Sequence, residues 1–412
     1  MKNIVILGAG TAGTIMANKL RKSLPAKTWN ITLVDRERNH YYQPGFLFIP
    51  FGSYSESDVV KPKAGFLPSG VNVIYTDIDK IEPQQNHVLL AKNKSLGYDF
   101  LIIATGAQLK PDETPGLKDK LYYKNIFDFY TLAGSLALFE LFKTWKGGKL
   151  VMAITELPFK CPVAPIEFVC LAEAFFEKKG MREKIDITFV TPLSGAFTKP
   201  VCSDVLTEVL EKKGIKIVTD FYIERIDNDT KTLISYDGKE VPFDVLVIVP
   251  VNKGDDMIER SGLGDDLNFV PVNKHTLQHE VYNNIFAVGD AAAIPTSKAG
   301  SVAHFAADVL FENIMSAING KPLEAKFDGH SNCYIETGYG KATLVDFNYD
   351  TEPLPGTYPL AGIGPFKLLS ITRINHWGKL MFRWIYWYIL LKARPLPVSN
   401  HMSMAGKKQV VN

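Results

Sequence analysis

The sequence predicts an α/β protein of two tandem, similarly wound domains followed by a C-terminal helical segment, and three observations carry that prediction. The first is the N-terminal order Ile4-Val5-Ile6-Leu7, Gly8-Ala9-Gly10-Thr11-Ala12-Gly13, a helical stretch to about Leu20, and Ile31-Thr32-Leu33-Val34-Asp35. Strand, glycine turn, helix and strand make a βαβ unit of the Rossmann type: the glycines permit a tight turn and close approach of the backbone to a pyrophosphate. The helix N-terminus meets that charge, and Asp35 can accept a hydrogen bond from a ribose hydroxyl. The second is an internal echo, Tyr98-Asp99-Phe100-Leu101-Ile102-Ile103-Ala104-Thr105-Gly106 against Phe243-Asp244-Val245-Leu246-Val247-Ile248-Val249-Pro250, each a buried-strand run after an aromatic-Asp pair. The third is Asn284-Ile285-Phe286-Ala287-Val288-Gly289-Asp290-Ala291-Ala292, a strand that stops at a Gly-Asp pair before small residues, where the aspartate can face a cofactor.

These elements divide the chain into a discontinuous first domain, 1–147 with 270–330, a second Rossmann-type domain, 148–269, and a C-terminal region, 331–412. With 412 residues the chain is long enough for two to three domains. Its 46 Lys+Arg against 44 Asp+Glu leave a net charge of +2 with no dense basic tract, which argues against nucleic acid as a partner. Four cysteines, at 161, 170, 202 and 333, are too few for a disulfide scaffold and have to be read singly. The apolar run Trp384–Leu391 is only eight residues, against about 20 needed to span a bilayer. The N-terminus opens directly into a strand without the pattern of a secretory leader.

The second domain departs from a nucleotide site. After its first strand, Val151-Met152-Ala153-Ile154, the chain continues Thr155-Glu156-Leu157-Pro158-Phe159-Lys160-Cys161-Pro162, with no glycine in the turn and with prolines at 158, 162 and 165 that remove backbone donors. The next strand, Ile187–Val190, is followed by Thr191-Pro192 rather than an acid. A nicotinamide site is therefore not expected, electrons must come from another donor, and Cys161 standing where the phosphate loop would be points to sulfur chemistry.

The glycine fingerprint, the ATG strand near 105 and the AVGDAA strand near 288 together resemble the flavoprotein disulfide reductase superfamily, over nearly the whole chain. The resemblance implies FAD in the first domain, held by Gly8, Gly10, Gly13, Asp35, Thr105, Gly106, Gly289 and Asp290. No CxxC or CxxxxC pair is present, and the chain resembles instead the sulfide:quinone oxidoreductase family and its flavocytochrome sulfide dehydrogenase relatives. These place one redox cysteine at the start of the second domain and another near 330 to 360, which Cys161 and Cys333 match. The resemblance implies attack of hydrosulfide on a Cys161–Cys333 linkage, thiolate addition from Cys161 to the flavin and storage of zero-valent sulfur between the cysteines. A thiolate is the nucleophile, so a lowered pKa or a nearby base is required, and Glu167 matches an acidic residue of the family motif. Cys170, on the helical run Pro165–Lys178, reads as core; Cys202, before Ser203-Asp204, reads as a helix N-terminus that lowers a thiol pKa and as an alternative partner. Two departures mark a divergent subtype. Phe127 stands where many members carry a further cysteine, which leaves FAD non-covalent, and Lys199 stands near the place of a family histidine.

Residues 365 to 397 hold three of the five tryptophans, with aromatic and basic residues interleaved. A helix from about His376 to Lys392 is too short to span a bilayer and suited to lie in one leaflet. By resemblance Phe366, Trp377, Phe382, Trp384, Trp387 and Lys392 border quinone and membrane. The loop His40–Gly45 is similar to one that approaches the flavin, Lys298 is placed to meet the reduced flavin's charge, and the polar tail from Val398 to Asn412 is expected to be flexible. The reading is a monotopic, peripheral-membrane flavoenzyme that oxidises sulfide with FAD and reduces quinone, with no metal, no NAD(P) and no nucleic acid, and with a homo-oligomer possible. Its rivals are a soluble sulfide dehydrogenase with a cytochrome acceptor, an NADH:quinone dehydrogenase and a non-catalytic flavin redox sensor.

Overall fold

The computed structural model describes residues 1–359 and 364–408. Two five-stranded parallel sheets form the body, and their strand orders correspond one to one. The first runs Ile285–Ala287, Phe100–Ile103, Lys2–Leu7, Trp29–Asp35, Asn72–Tyr75; the second runs Ile126–Phe127, Val245–Val249, Gly148–Ile154, Ile185–Val190, Lys216–Val218. Their central strands are apolar on both faces because helices cover one side and a small three-stranded antiparallel sheet the other, so Ile4, Ile6 and Leu7, and likewise Leu150, Val151 and Met152, are buried.

The echo noted in the sequence has a local cause. The Asp99 carboxylate accepts from the Asn3 N–H at 2.6 Å, and the Asp244 carboxylate accepts from the Lys149 N–H at 2.8 Å. In both sheets the aspartate satisfies a donor at the start of the neighbouring central strand, and the apolar run then enters the sheet beside it.

The boundary at 148 moves. Ile126–Phe127 pairs in parallel with Leu246–Val247, and Leu117 and Ile126 belong to the second domain's core, so the end of the segment assigned to the first domain joins the second sheet. The C-terminal region adds a four-stranded sheet, Ser331–Gly338, Lys341–Phe347, Phe366–Leu368, Gly356–Tyr358, and the helix Arg373–Ile385, capped by the Thr372 hydroxyl and continued by a π turn over Tyr386–Leu390. The tail is not free over its described part. Lys407 is buried and ion-paired with Asp346, which also bonds His330 Nε2 at 2.8 Å, and the Gly406 carbonyl accepts from the Thr357 N–H at 2.9 Å. Residues 409–412 lie outside the described residues.

Candidate active site

A cleft of about 840 Å³ opens between the two domains and under the C-terminal helix. Gly8, Gly10, Asp35, Thr105, Gly106, Gly289, Asp290 and Lys298 line it from the first domain, Lys160, Cys161 and Glu167 from the second, and Lys379 and Tyr386 from the helix. Gly13 lies behind the lining: a Cβ there would stand 1.9 Å from the Gly8 carbonyl oxygen, so glycine lets the helix Thr11–Ser23 start against the turn. Gly8 sits at φ +95°, where a Cβ would meet the Ala104 carbonyl oxygen at 2.4 Å.

These residues fit FAD. Gly10 stands before a helix N-terminus with open space in front of it, and the buried Thr105 hydroxyl has no partner among the described residues. Asp35 is fixed by the Ala9 N–H at 2.6 Å, the Glu37 N–H at 2.7 Å and Lys63 Nζ at 2.6 Å. Lys63 is a partner the sequence did not single out. Lys298 is placed differently from the expectation: its Nζ donates to the Asp290 carbonyl at 2.7 Å over the Phe269 ring, so the ammonium ties down the Asp290 turn, and burial brings its pKa down to about 8.

On the other side of the cleft, in the turn between Gly148–Ile154 and the helix Ala164–Lys178, the two donors nearest the cysteine are engaged within the protein. The Lys160 N–H goes to Asn252 Oδ1 at 3.1 Å and the Cys161 N–H to the Lys298 carbonyl at 2.8 Å, which leaves neither for a phosphate. Cys161 is held at φ +51°, a left-handed conformation that a non-glycine residue keeps only where its surroundings over-determine it. Tyr130 donates to its carbonyl oxygen at 3.3 Å.

Cys161, Cys333 and Glu167 come together around one of the interleaved basic residues of 365 to 397 that the sequence reading did not single out. Lys379, from the C-terminal helix, donates to Glu167 Oε1 at 2.8 Å, to Oε2 at 3.1 Å and to the Tyr334 carbonyl at 2.9 Å. Glu167 is fully buried and also accepts from the Glu336 N–H at 2.8 Å. Both cysteines are free thiols, and neither has the lowered pKa that the sequence reading allowed. Burial, reinforced by Glu167, pushes Cys161 well above the thiol range despite Lys379, and a charge on Cys333 would raise it further; burial likewise pushes Cys333 up to about 11. Burial also raises Glu167, against Lys379. For Lys379 itself burial works downward, and the Glu167 charge overrides it to hold the ammonium firmly protonated. The cluster therefore offers a buried carboxylate to receive a proton and a fixed cation to stabilise a thiolate.

Cys170 and Cys202 are both fully buried. The helix begins at Pro200, so Cys202 lies on its inner face rather than at a cap, and burial pushes its thiol up to about 12. Lys199 is drawn away to Glu352, at 3.0 Å. Phe127 is buried in its strand.

The C-terminal helix begins three residues before the predicted start. Its outer face carries Ile374, Trp377 (72 % exposed), Met381, Trp384 (56 %) and Tyr388. Trp387, read as a membrane residue, is 2 % exposed: it stacks on Phe66 at 5.1 Å between ring centres and donates to the Asp58 carbonyl at 3.4 Å, so it fastens the helix to the protein's own core. Phe382 faces Tyr42 and Tyr386, and Phe366 meets Tyr334 edge-on. Lys392 does not line the cleft; its carbonyl accepts from Lys22 Nζ at 2.6 Å, and the helix lysine in the cleft is Lys379. Tyr386 reaches the glycine turn, its hydroxyl 2.7 Å from Thr11 Oγ1 and 2.6 Å from His40 Nε2.

Residues 2–133 and 171–319 match the family described as pyridine nucleotide-disulphide oxidoreductase, to which the chain belongs. Among the relatives it matches along nearly its whole length are sulfide:quinone oxidoreductases. The mitochondrial sulfide:quinone oxidoreductase of Dictyostelium discoideum is 30 % identical over 399 residues, 95 % of this chain and 86 % of that one. The mitochondrial enzyme of Mus musculus is 27 % identical over 396 residues, 94 % and 86 %. Among solved structures, the sulfide:quinone oxidoreductase from the hyperthermophilic bacterium Aquifex aeolicus superposes with a TM-score of 0.79 at 22 % identity, covering 96 % of this chain and 92 % of that one.

Proposed function

We propose that this chain oxidises sulfide and reduces quinone, with Cys161, Cys333 and Glu167 as the sulfur site, FAD in the cleft beside Cys161, and quinone reached from the C-terminal helix. The observation that carries the reading is the buried Glu167–Lys379 pair beside Cys161 at the wall of a cleft that fits FAD, with Cys333 behind the lining and near enough to feel both charges. FAD supplies the two-electron carrier between sulfur and quinone. In the oxidised pair, hydrosulfide attacks the Cys161–Cys333 bond; the bond breaks, leaving a persulfide on Cys333 and a thiolate on Cys161. Lys379 stabilises that thiolate, and Glu167 accepts the proton that leaves the sulfur.

Two finer points belong to the same reading. FAD is held without a covalent bond, since Phe127 offers no thiol, and NAD(P)H is not a donor, since the N–H groups of Lys160 and Cys161 are engaged within the protein. The outer stripe Ile374, Trp377, Met381, Trp384 and Tyr388 lies in one leaflet, with Lys61, over the Tyr388 ring, at its flank facing headgroups. Among the described residues no helix is long and apolar enough to cross a membrane. The test is steady-state reduction of a soluble quinone by sulfide, with NADH as the alternative donor. Sulfide-dependent turnover without NADH-dependent turnover supports the reading, and the reverse pattern overturns it.

A further inference from the structure

Behind Glu167 and Lys379 stands a second pair for which the mechanism has no use. Glu336 is fully buried, its N–H donates to Glu167 Oε1, and its carboxylate oxygens take His376 Nδ1 at 2.8 and 2.9 Å. His376 and Lys379 are one helical turn apart on the inward face of the same helix, so an imidazole and an ammonium meet two adjacent buried carboxylates. The four groups differ in access: Glu167 and Glu336 are sealed, Lys379 is 11 % exposed, and His376 is 20 % exposed at the surface end, beside the outward-facing Trp377.

The chemistry needs a proton from outside the site. In each turnover hydrosulfide loses two electrons and one proton and stays as sulfane sulfur on a cysteine, while quinone gains two electrons and two protons. One proton comes from the sulfur and one must come from outside. We propose that His376 is the positioning residue for this outside proton: it holds the Glu336 carboxylate, on the residue whose N–H bonds Glu167, so that the Glu167–Lys379 pair takes up the proton that quinone reduction needs. The inference rests on the function proposed above. Charged groups on the elements packed against the helix are Glu336, Lys341, Lys367 and Asp346, the last held by His330 and Lys407, while Glu167 bonds Lys379 and Asp58 bonds Arg383. Glu336 is the one that raises the imidazole's pKa, against burial. Imidazole titrates near neutral pH, so it can load and release a proton in the working range.

The test compares His376→Gln and His376→Asn with the wild-type holoenzyme, reading kcat and KM for a soluble quinone between about pH 6 and 9, and anaerobic flavin bleaching by sulfide in parallel. The expected result is a quinone-linked kcat about tenfold lower near neutral pH, loss of the wild-type fall in kcat at alkaline pH, an unchanged quinone KM, and bleaching within about threefold of wild type. An unchanged kcat and pH profile in both variants overturns the inference, as does an equal fall of bleaching and turnover or loss of flavin from both, which mark a structural role. Failure of sulfide to bleach the wild-type flavin is a separate outcome that overturns the proposed function itself.

Discussion

Lys379 Nζ lies within hydrogen-bonding distance of both carboxylate oxygens of Glu167, joining the C-terminal helix to the helix Ala164–Lys178 across the wall of the cleft. Removing one partner of a buried pair leaves the other charge stranded. Lys379→Met should therefore cost about 3 kcal/mol of stability and slow flavin bleaching by sulfide about a hundredfold, since the thiolate loses its cation. Adding Glu167→Gln should recover most of the melting temperature and none of the bleaching rate. Melting curves and stopped-flow absorbance on the two variants separate the structural from the chemical role.

His40 gives a pH dependence of stability. Burial, with Lys63 nearby, lowers its pKa from 6.5 to about 4. Below 6.5 the unfolded chain binds a proton that the folded one refuses, so stability present above that pH is lost as pH falls through the window from 6.5 to about 4. The loss reaches about 3 kcal/mol, from roughly 1.4 kcal/mol per pKa unit. His40 touches Trp387 and Tyr386, so melting followed by tryptophan fluorescence reads it, and His40→Gln should flatten that acid limb.

Two kinds of tryptophan lie on one helix. Trp377→Ser with Trp384→Ser should leave the melting temperature near wild type and cut binding to phospholipid vesicles at least about tenfold in a flotation assay. Trp387→Ala should instead cost about 3 kcal/mol, as for other buried aromatic residues, with the exposed stripe untouched.

Lys407 tethers the tail. Lys407→Ala leaves Asp346 buried with His330 alone and should lower stability by about 3 kcal/mol. Ending the chain at residue 398 should do the same, and denaturant unfolding of both checks it.

Much of the fold was legible because its signals are local. The glycine turn, the Gly289-Asp290 pair and the aspartates of the echoed strands each answer to neighbours the pattern itself supplies: Asp99 and Asp244 do the same work at the same place in two sheets of matching order. The partners of the site were less legible. Glu167 and Lys379 meet across 212 positions, and nothing in the amphipathic pattern distinguishes Lys379 from a solvated lysine on the same helix. Trp387 continues the aromatic run in sequence, but at the π turn Tyr386–Leu390 the helix presents Tyr386 and Trp387 to the core while Trp384 and Tyr388 stay outside. Lys407 sits in an aperiodic tail whose pairing with Asp346 leaves no trace in local composition.

The most direct test of the sulfur site is anaerobic flavin absorbance on adding sulfide to wild type, Cys161→Ser and Cys333→Ser, each loaded with FAD. The account predicts bleaching in wild type, recovery on adding a soluble quinone, and loss of bleaching in both variants with flavin retained. Bleaching by sulfide at the wild-type rate in either serine variant would contradict it.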